Sequence, residues 1–167
     1  MRAVRFNHVS IHADDLEEST RFYEDVFGME RLPTPRFRQR VQWLRLGDQQ
    51  LHLFQRDRTE PPRFHHLALD VDDFEAAYVK ARELGLEGDG VWSPVVRELP
   101  DGSVQMYVRD PAGNLVEIDW PDVSTLDHSV VTEIQKLSDT VEQSEEARRA
   151  TLYPKGTNRG PSTRSAK

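Results

Sequence analysis

The chain has 167 residues, a net charge of −7 and no cysteine. The lack of cysteine excludes disulfides, thiolate metal sites and cysteine nucleophiles, and the negative charge argues against non-specific nucleic-acid binding. No apolar run approaches the roughly 20 residues of a membrane-spanning helix, so no membrane partner is expected. Acidic residues at 14 and 15 precede any segment that could serve as a signal-peptide core, and we therefore expect a cytoplasmic protein.

The first predicted elements are a strand and an amphipathic helix. Residues 7–13 alternate apolar and polar side chains, the pattern of a strand with one buried face. Asp14 and Asp15 stand where helix N-caps belong, and Gly28 stands where a helix ends. An apolar stripe with helical spacing is formed by Leu16, Ser19, Tyr23 and Val26.

Three further strands are predicted before the middle of the chain. Met29–Thr34 gives a weak strand signal, whereas Val41–Leu46 and Gln50–Gln55 are stronger and flank the turn sequence Gly47-Asp48. The Arg- and Pro-containing stretch Arg56–Arg63 follows as a linker. The first half is therefore predicted to have the element order β-α-β-β-β.

The same order recurs in the second half of the chain. Asn7–Asp15 aligns with His65–Asp73 at an offset of 58, and an equivalent helix follows. Strands are then predicted within Val91–Glu98, at Ser103–Arg109 and at Leu115–Trp120. Neither half can cover its own sheet, so we predict an α+β fold in which two βαβββ modules, about 4–56 and 63–121, pack together within residues 1–121. The alternative is a single α+β domain with an accidental likeness between its halves.

The C-terminal region is predicted to be a helical extension and a tail. A thin apolar stripe between residues 130 and 147 predicts a helix in the extension, residues 122–150, and consists of Val130, Ile134, Leu137 and Val141. Such a stripe would dock on the core or cover a dimer partner. Residues 151–167 are basic and, from 154 onward, rich in Gly, Ser, Thr and Pro, so we expect a disordered tail.

Ligand-type side chains occupy two pairs of positions that the repeat relates to one another. His8 aligns with His66, and His52 aligns with Glu117 because their strands superpose at an offset of 65. Their apolar neighbours would face the helices, so these four side chains would face a shared concavity. Imidazole and carboxylate suit a divalent first-row metal, and two histidines with one carboxylate suit Fe(II).

Two motifs carry a resemblance to a known family. NHVSIHADDLEESTRFYEDVFGM opens the first half, and MYVRDPAGNLVEIDW closes the second. Over about residues 4–121 the chain resembles the vicinal oxygen chelate superfamily, which includes glyoxalase I, extradiol dioxygenases, methylmalonyl-CoA epimerase and fosfomycin-resistance proteins. The resemblance implies a curved eight-stranded mixed sheet around one divalent metal, with ligands at His8, His52, His66 and Glu117. It also implies a homodimer and a small-molecule substrate with two vicinal oxygens.

Within this superfamily, the first hypothesis is an extradiol-type dioxygenase acting on a catechol-like molecule. By resemblance, His8, His66 and Glu117 would hold Fe(II), and His52 would remain off the metal as the acid–base group. Tyr107 occupies the position of the active-site tyrosine and would contact the substrate. Against this, residues 93–106 lack the further histidine usual in such dioxygenases, and the chain has two modules where they usually have four.

The second hypothesis is a glyoxalase-I-like lyase or epimerase. All four residues would then bind Ni(II), Zn(II), Co(II) or Mn(II), although glyoxalase I has a glutamate at the position of His52. A third hypothesis is a non-catalytic, antibiotic-sequestering protein, which would need no metal residues. The placement of His52 and Tyr107 ranks the dioxygenase first. By strand parity, His12 and Phe54 are candidates for substrate contact.

Overall fold

The computed structural model describes residues 2, 5–57, 60–86 and 96–154. The chain divides into two compact units, residues 1–67 with 109–116 and residues 68–108 with 117–167. The elements are β1 (His8–Ala13), α1 (Leu16–Phe27), β2 (Glu30–Leu32), β3 (Val41–Leu46), β4 (Gln49–Gln55), β5 (His66–Asp70), α2 (Phe74–Glu83), β6 (Val96–Glu98), β7 (Val104–Arg109), β8 (Leu115–Trp120), β9 (Ile134–Lys136) and α3 (Leu137–Thr140). The predicted β-α-β-β-β order is present twice, and the α+β fold class is confirmed.

The first sheet has the strand order β1-β4-β3-β2. Strand β1 runs parallel to β4, while β3 is antiparallel to both β4 and β2. The predicted Gly47-Asp48 turn joins β3 to β4, and Gly47 has the positive φ of 59° that favours glycine. This short turn sets the register of the hairpin, which pairs Trp43 with His52.

Helix α1 covers one face of the first sheet. The Asp15 carboxylate accepts the backbone N–H groups of Glu17 and Glu18, each at 2.9 Å, and Gly28 ends the helix with a φ of 63°. Tyr23 is fully buried on the inner side of the helix, as is Leu44 on β3. The predicted caps are therefore present, and burial of this apolar face stabilises the helix on the sheet.

An ion-pair network links α1 to β2. The Arg31 guanidinium donates to Glu17 at 2.8 and 2.9 Å and to Glu24 at the same two distances. This guanidinium is the main reason that the pKa of Glu17 is lowered to about 2, and Arg21 contributes less.

The Glu17→Gln variant should show a smaller loss of stability in acid than the wild type. The pKa of Glu17 is lower in the folded chain, about 2, than its ordinary value of 4.5. The folded state therefore gains stability above pH 4.5 and loses it as the pH falls toward 2. Urea unfolding at a series of pH values measures the difference between the two proteins. A constant difference from pH 6 to pH 2 would contradict this assignment.

The second sheet has the strand order β5-β8-β7-β6-β9. Asp73 caps the N-terminus of helix α2, since its carboxylate accepts the Ala76 N–H at 2.8 Å, and the buried side of the helix includes Phe74 and Tyr78. The inward-facing residues Leu67 and Leu69 of β5 are buried, as their alternation predicts. Strand β6 lies at the end of the segment where a weak strand was predicted. Residues 91–95 of that segment lie outside the described residues.

The prediction of a helix over residues 130–147 is wrong. Ile134–Lys136 instead forms β9, a ninth strand that pairs in parallel with β6, and only Leu137–Thr140 is α-helical. The β-branched residues at 130–134 favour an extended chain, and the open edge at β6 supplies backbone hydrogen bonds that a thin apolar stripe does not replace. Within the predicted tail, the Tyr153 hydroxyl donates to Asp70 at 2.7 Å. Residues 155–167 lie outside the described residues.

The helices of the described part of the chain are all short. None of them is both long enough and apolar enough to cross a bilayer.

Candidate functional site

Three aromatic rings stack across the first sheet, on the face turned away from α1. The rings of His8 on β1 and His52 on β4 have centroids 4.2 Å apart and planes 15° apart. The indole of Trp43 on β3 stacks on the other side of His52, at 4.5 Å and 8°. His52 is buried, with 7% of its surface exposed. The structure thus brings together two of the predicted ligand residues and holds one of them between two rings.

The loop that follows β2 extends this row of rings. Phe37, in the loop of residues 33–40, lies 6.1 Å from Trp43 between ring centroids. Thr34 anchors the loop because its hydroxyl accepts the Trp43 backbone N–H at 3.0 Å. The Trp43 Nε1–H is buried and has no hydrogen-bond partner among the described residues. The loop therefore places an aromatic side chain beside Trp43, the ring that stacks on His52.

The two histidines related by the repeat are held through the same ring nitrogen. His66 contacts the Phe64 carbonyl oxygen through Nδ1 at 2.9 Å, and His8 contacts the Asn7 side-chain oxygen through Nδ1 at 3.0 Å. An oxygen acceptor requires a proton on Nδ1, so Nε2 of the neutral ring carries the lone pair. A metal-binding imidazole has this state, in which a hydrogen bond on one nitrogen orients the other.

His52 is held in the opposite way. Its Nε2 contacts the Gln50 side-chain oxygen at 2.9 Å, so the proton lies on Nε2 and Nδ1 carries the lone pair. Burial lowers the pKa of His52, and the neighbouring His8 lowers it further. The ring is therefore neutral at pH 7, with one nitrogen able to accept a proton.

Glu117, on β8, is buried among polar partners. Only 4% of its surface is exposed, and its carboxylate accepts a hydrogen bond from the Gln105 amide at 2.8 Å. The Tyr107 hydroxyl also hydrogen-bonds Glu117; burial raises the pKa of Tyr107, and this hydrogen bond raises it further. Asp119 lies on the same side of the strand, and burial together with the charge of Glu117 raises its pKa. Tyr107 thus contacts the carboxylate that the sequence predicts as a metal ligand.

The closing motif of the second half is a structural element. The buried carboxylate of Asp110 accepts the Tyr23 hydroxyl at 2.9 Å, the Ala112 N–H at 3.0 Å and two donors of Asn114 at 2.7 and 2.8 Å. The Asn114 amide also donates to the His12 carbonyl at 2.8 Å. These bonds tie the loop between β7 and β8 to α1 and β1.

The two predicted substrate contacts lie on neighbouring strands of the first sheet. His12 lies directly opposite Phe54 in the pairing of β1 with β4, so these two candidates for substrate contact are neighbours. Within the part of the chain that the structure describes, no group of three or more His, Asp or Glu side chains is arranged to hold a metal ion. Of the predicted ligands, His8 and His52 are in ring contact, while His66 and Glu117 are each held by hydrogen-bond partners of their own.

Among the side chains that contact the predicted site residues, sequence reasoning missed Trp43, Gln50, Gln105 and Asp119. Trp43 could have been found, because counting back across the two-residue Gly47-Asp48 turn places it opposite His52. Gln50 and Asp119 share strand parity with His52 and Glu117. Gln105 likewise shares strand parity with Tyr107 on β7.

Comparison with known proteins identifies the family. Residues 5–118 match the model of the Glyoxalase/Bleomycin resistance protein/Dioxygenase superfamily. The chain belongs to this superfamily. The resemblance inferred from the two sequence motifs is therefore confirmed.

Three individual proteins show how similar the chain is to other proteins in sequence and in fold. The chain is 29% identical over 124 residues to the uncharacterized protein YwbC of Bacillus subtilis, covering 69% of this chain and 96% of that protein. It is 28% identical over 93 residues to mitochondrial methylmalonyl-CoA epimerase of Mus musculus, covering 47% and 52% of the two chains. Lactoylglutathione lyase from Agrobacterium tumefaciens superimposes with a TM-score of 0.55 at 24% identity, covering 75% of this chain and 100% of that one. This last likeness concerns the fold.

Proposed function

We propose that the chain is a metal-dependent enzyme that moves a proton on a small molecule presenting two adjacent oxygen atoms. The observation that carries the proposal is the opposite hydrogen bonding of the three histidines. His8 and His66 are both held through Nδ1, whereas His52 is held through Nε2. Two imidazoles thus share a tautomer with the lone pair on Nε2, which suits a metal ligand. The third, His52, has its lone pair on Nδ1, which suits an acid–base group.

The proposed ligands are His8, His66 and Glu117. Two imidazoles and a carboxylate are the donor types that divalent first-row metals accept, so the residues fit such an ion. Gln105 fixes one carboxylate oxygen of Glu117, as an outer partner of a ligand does. When bound, the cation would polarise the two substrate oxygens and stabilise negative charge that develops on them.

His52 is the proposed acid–base group. Its Nδ1 lone pair accepts the proton, while Gln50 keeps the other proton on Nε2. The rings of His8 and Trp43 lie on its two faces and prevent rotation out of this orientation. Burial of the ring limits access of water, which keeps the imidazole neutral and ready to act as a base.

The favoured reaction is removal of a proton from a carbon next to a carbonyl group, as in a lyase or an epimerase. The likeness to an epimerase supports this class. The sequence argument for a dioxygenase relied partly on Tyr107 as a substrate contact. That argument is weaker because the Tyr107 hydroxyl contacts Glu117. An Fe(II) extradiol dioxygenase is the second candidate, since it also needs three ligands with His52 kept apart.

We propose His12 and Phe54 as substrate contacts, and a homodimer as the assembly.

The reaction class can be tested without knowing the natural substrate. Protein loaded anaerobically with Fe(II), Ni(II), Zn(II), Co(II) or Mn(II) is incubated in D₂O with α-hydroxyketones and α-ketohemithioacetals, and exchange at the carbon is followed by NMR. In parallel, oxygen uptake is measured with a panel of catechols. We expect metal-dependent exchange without oxygen uptake, and loss of that exchange in His52→Gln.

Each other outcome has a defined meaning. Oxygen uptake with ring cleavage, and no exchange, would replace the favoured class by the dioxygenase. Exchange that is equal in wild type and His52→Gln would remove His52 from the acid–base role. Protein that binds none of the five metals would overturn the whole proposal.

A further inference from the structure

Arg97, on β6, lies on the face of the second sheet that carries Glu117. The residues directly opposite Arg97 are Gln105 on β7 and Gln135 on β9. Residues that face one another across neighbouring strands have their side chains on the same side of the sheet. Gln105 uses that side to donate to Glu117 at 2.8 Å. The Arg97 side chain is therefore on the same face as a proposed metal ligand, with Gln105 between them.

The guanidinium of Arg97 is partly buried and lacks a counter-ion within the part of the chain that the structure describes. It forms no ion pair and no side-chain hydrogen bond with the described residues. Its neighbour Glu98 points to the opposite face and pairs with Lys136 at 3.3 Å. In the same unit, Arg82 pairs with Glu133 at 3.2 Å. A charge that is partly removed from water without a partner is costly, so an anion from solution would stabilise Arg97.

The positive charge of Arg97 acts on Tyr107, which contacts Glu117. Burial raises the pKa of Tyr107 and the hydrogen bond to Glu117 raises it further, whereas the charge of Arg97 partly offsets both effects. The offset indicates that the guanidinium lies near the tyrosine, because charge interactions weaken with distance. An anion bound to Arg97 would therefore lie beside the Tyr107–Glu117 pair.

The acids on this face are engaged with other groups. Glu117 and Asp119 are 4% and 6% exposed, and Asp119 hydrogen-bonds Glu117 and Gln105. The face thus has a buried acidic part, which holds the proposed ligand Glu117, and a partly buried cationic part at Arg97. A molecule that presents neutral oxygens to a metal and an anionic group to Arg97 matches both parts.

We propose that Arg97 binds a carboxylate or phosphate group of the substrate, at a distance from the two adjacent oxygens of the same molecule. This inference rests on the proposed function and names the substrate class more closely. The planar guanidinium binds either anion with two parallel, charge-assisted hydrogen bonds. A neutral analogue would leave the partly buried charge unpaired, so Arg97 determines specificity for an anionic substrate.

Isothermal titration calorimetry on Zn(II)-loaded protein tests the proposal with two pairs of α-hydroxyketones. The first pair is 5-hydroxy-4-oxopentanoate and its methyl ester, and the second is dihydroxyacetone phosphate and dihydroxyacetone. Each pair keeps the adjacent oxygens and differs in the anionic group. In at least one pair, the anion should bind about tenfold or more tightly than its neutral counterpart, which corresponds to about 1.4 kcal/mol. The pair that shows the preference distinguishes a carboxylate from a phosphate.

Matched variants assign this preference to one side chain. Arg97→Gln should abolish the tenfold preference, and Arg97→Lys should keep part of it because the charge remains. Arg82→Gln removes the same charge from a paired arginine in the same unit and should leave the preference unchanged. Circular dichroism verifies that each variant is folded, and competition with a chelator should give the same Zn(II) affinity for all of them.

The outcomes separate this inference from the proposed function. Equal binding of anion and neutral counterpart in both pairs would overturn the role of Arg97 while metal binding still stands. A preference that survives in folded Arg97→Gln, or that is lost equally in Arg82→Gln, would also overturn it. Protein that binds no metal would overturn the proposed function and this inference with it.

Discussion

Replacement of Asp110 by alanine should lower the free energy of unfolding by about 3 kcal/mol or more, because several buried donors lose their acceptor at once. The Asp110 carboxylate accepts four hydrogen bonds and is only 4% exposed. Its loss would free the loop between β7 and β8 from α1. Urea denaturation followed by circular dichroism measures the change.

Two further variants show whether the effect comes from this network. Tyr23→Phe removes one of the four bonds and should cost about 1 kcal/mol. Asp122→Ala removes a similar turn acceptor that binds Ser124 on the surface, and it should cost less than about 1 kcal/mol because water replaces the lost bonds. A cost for Asp110→Ala no larger than that for Asp122→Ala would show that the loop does not depend on the buried carboxylate.

Alanine at His8, His66 or Glu117 should weaken metal binding by at least about 100-fold, since loss of an outer partner alone typically costs 10- to 100-fold. The metal affinity of His52→Gln should stay within about tenfold of that of the wild type, because His52 is not one of the proposed ligands. Competition with a chromophoric chelator gives the affinities. His65→Ala and His128→Ala are the matched controls, since neither residue belongs to the proposed set.

The metal affinity of His52→Gln distinguishes a ligand role from an acid–base role for His52. If His52→Gln loses as much affinity as His8→Ala, His52 is a fourth ligand and the base lies elsewhere. If the three ligand variants bind metal as the wild type does, the proposed set is wrong. Trp43 offers a second readout, because its indole stacks on His52 and a paramagnetic ion beside that ring should quench its fluorescence. Trp43→Phe identifies the part of the signal that comes from this indole.

Mixing two variants shows how the ligands are shared between chains. Glu117→Ala and His8→Ala each lack a different ligand, so metal binding restored in their mixture would place the ligands of one site on two copies of a homodimer. Binding that is not restored would place them on one chain. The measurement also tests the predicted homodimer directly, through the mass of the mixed species.

The internal repeat allowed much of the fold to be predicted from sequence. The pattern at residues 7–28 predicted β1, α1 and both helix caps, because alternation and capping are local properties of a few neighbouring residues. The strands at 41–46 and 115–120 were predicted with their observed limits for the same reason. The family followed from the two motifs, which lie within the residues that match the superfamily.

The C-terminal region and the surroundings of the site depended on contacts between distant residues. A thin apolar stripe in residues 130–147 predicted a helix, but the open edge of β6 recruited Ile134–Lys136 as a strand. Likewise, the proton on His52 depends on Gln50, and the environment of Glu117 depends on Gln105 and Tyr107.

The sequence by itself determined the two modules, their helices and the residue types available for chemistry, because each of these is encoded within short stretches of chain. Only the tertiary structure decided which ring nitrogen of His8, His52 and His66 contacts an oxygen atom, and which aromatic side chain lies against His52. The physical reason is that hydrogen bonding, stacking and desolvation act between side chains that are brought together only when the sheets have formed.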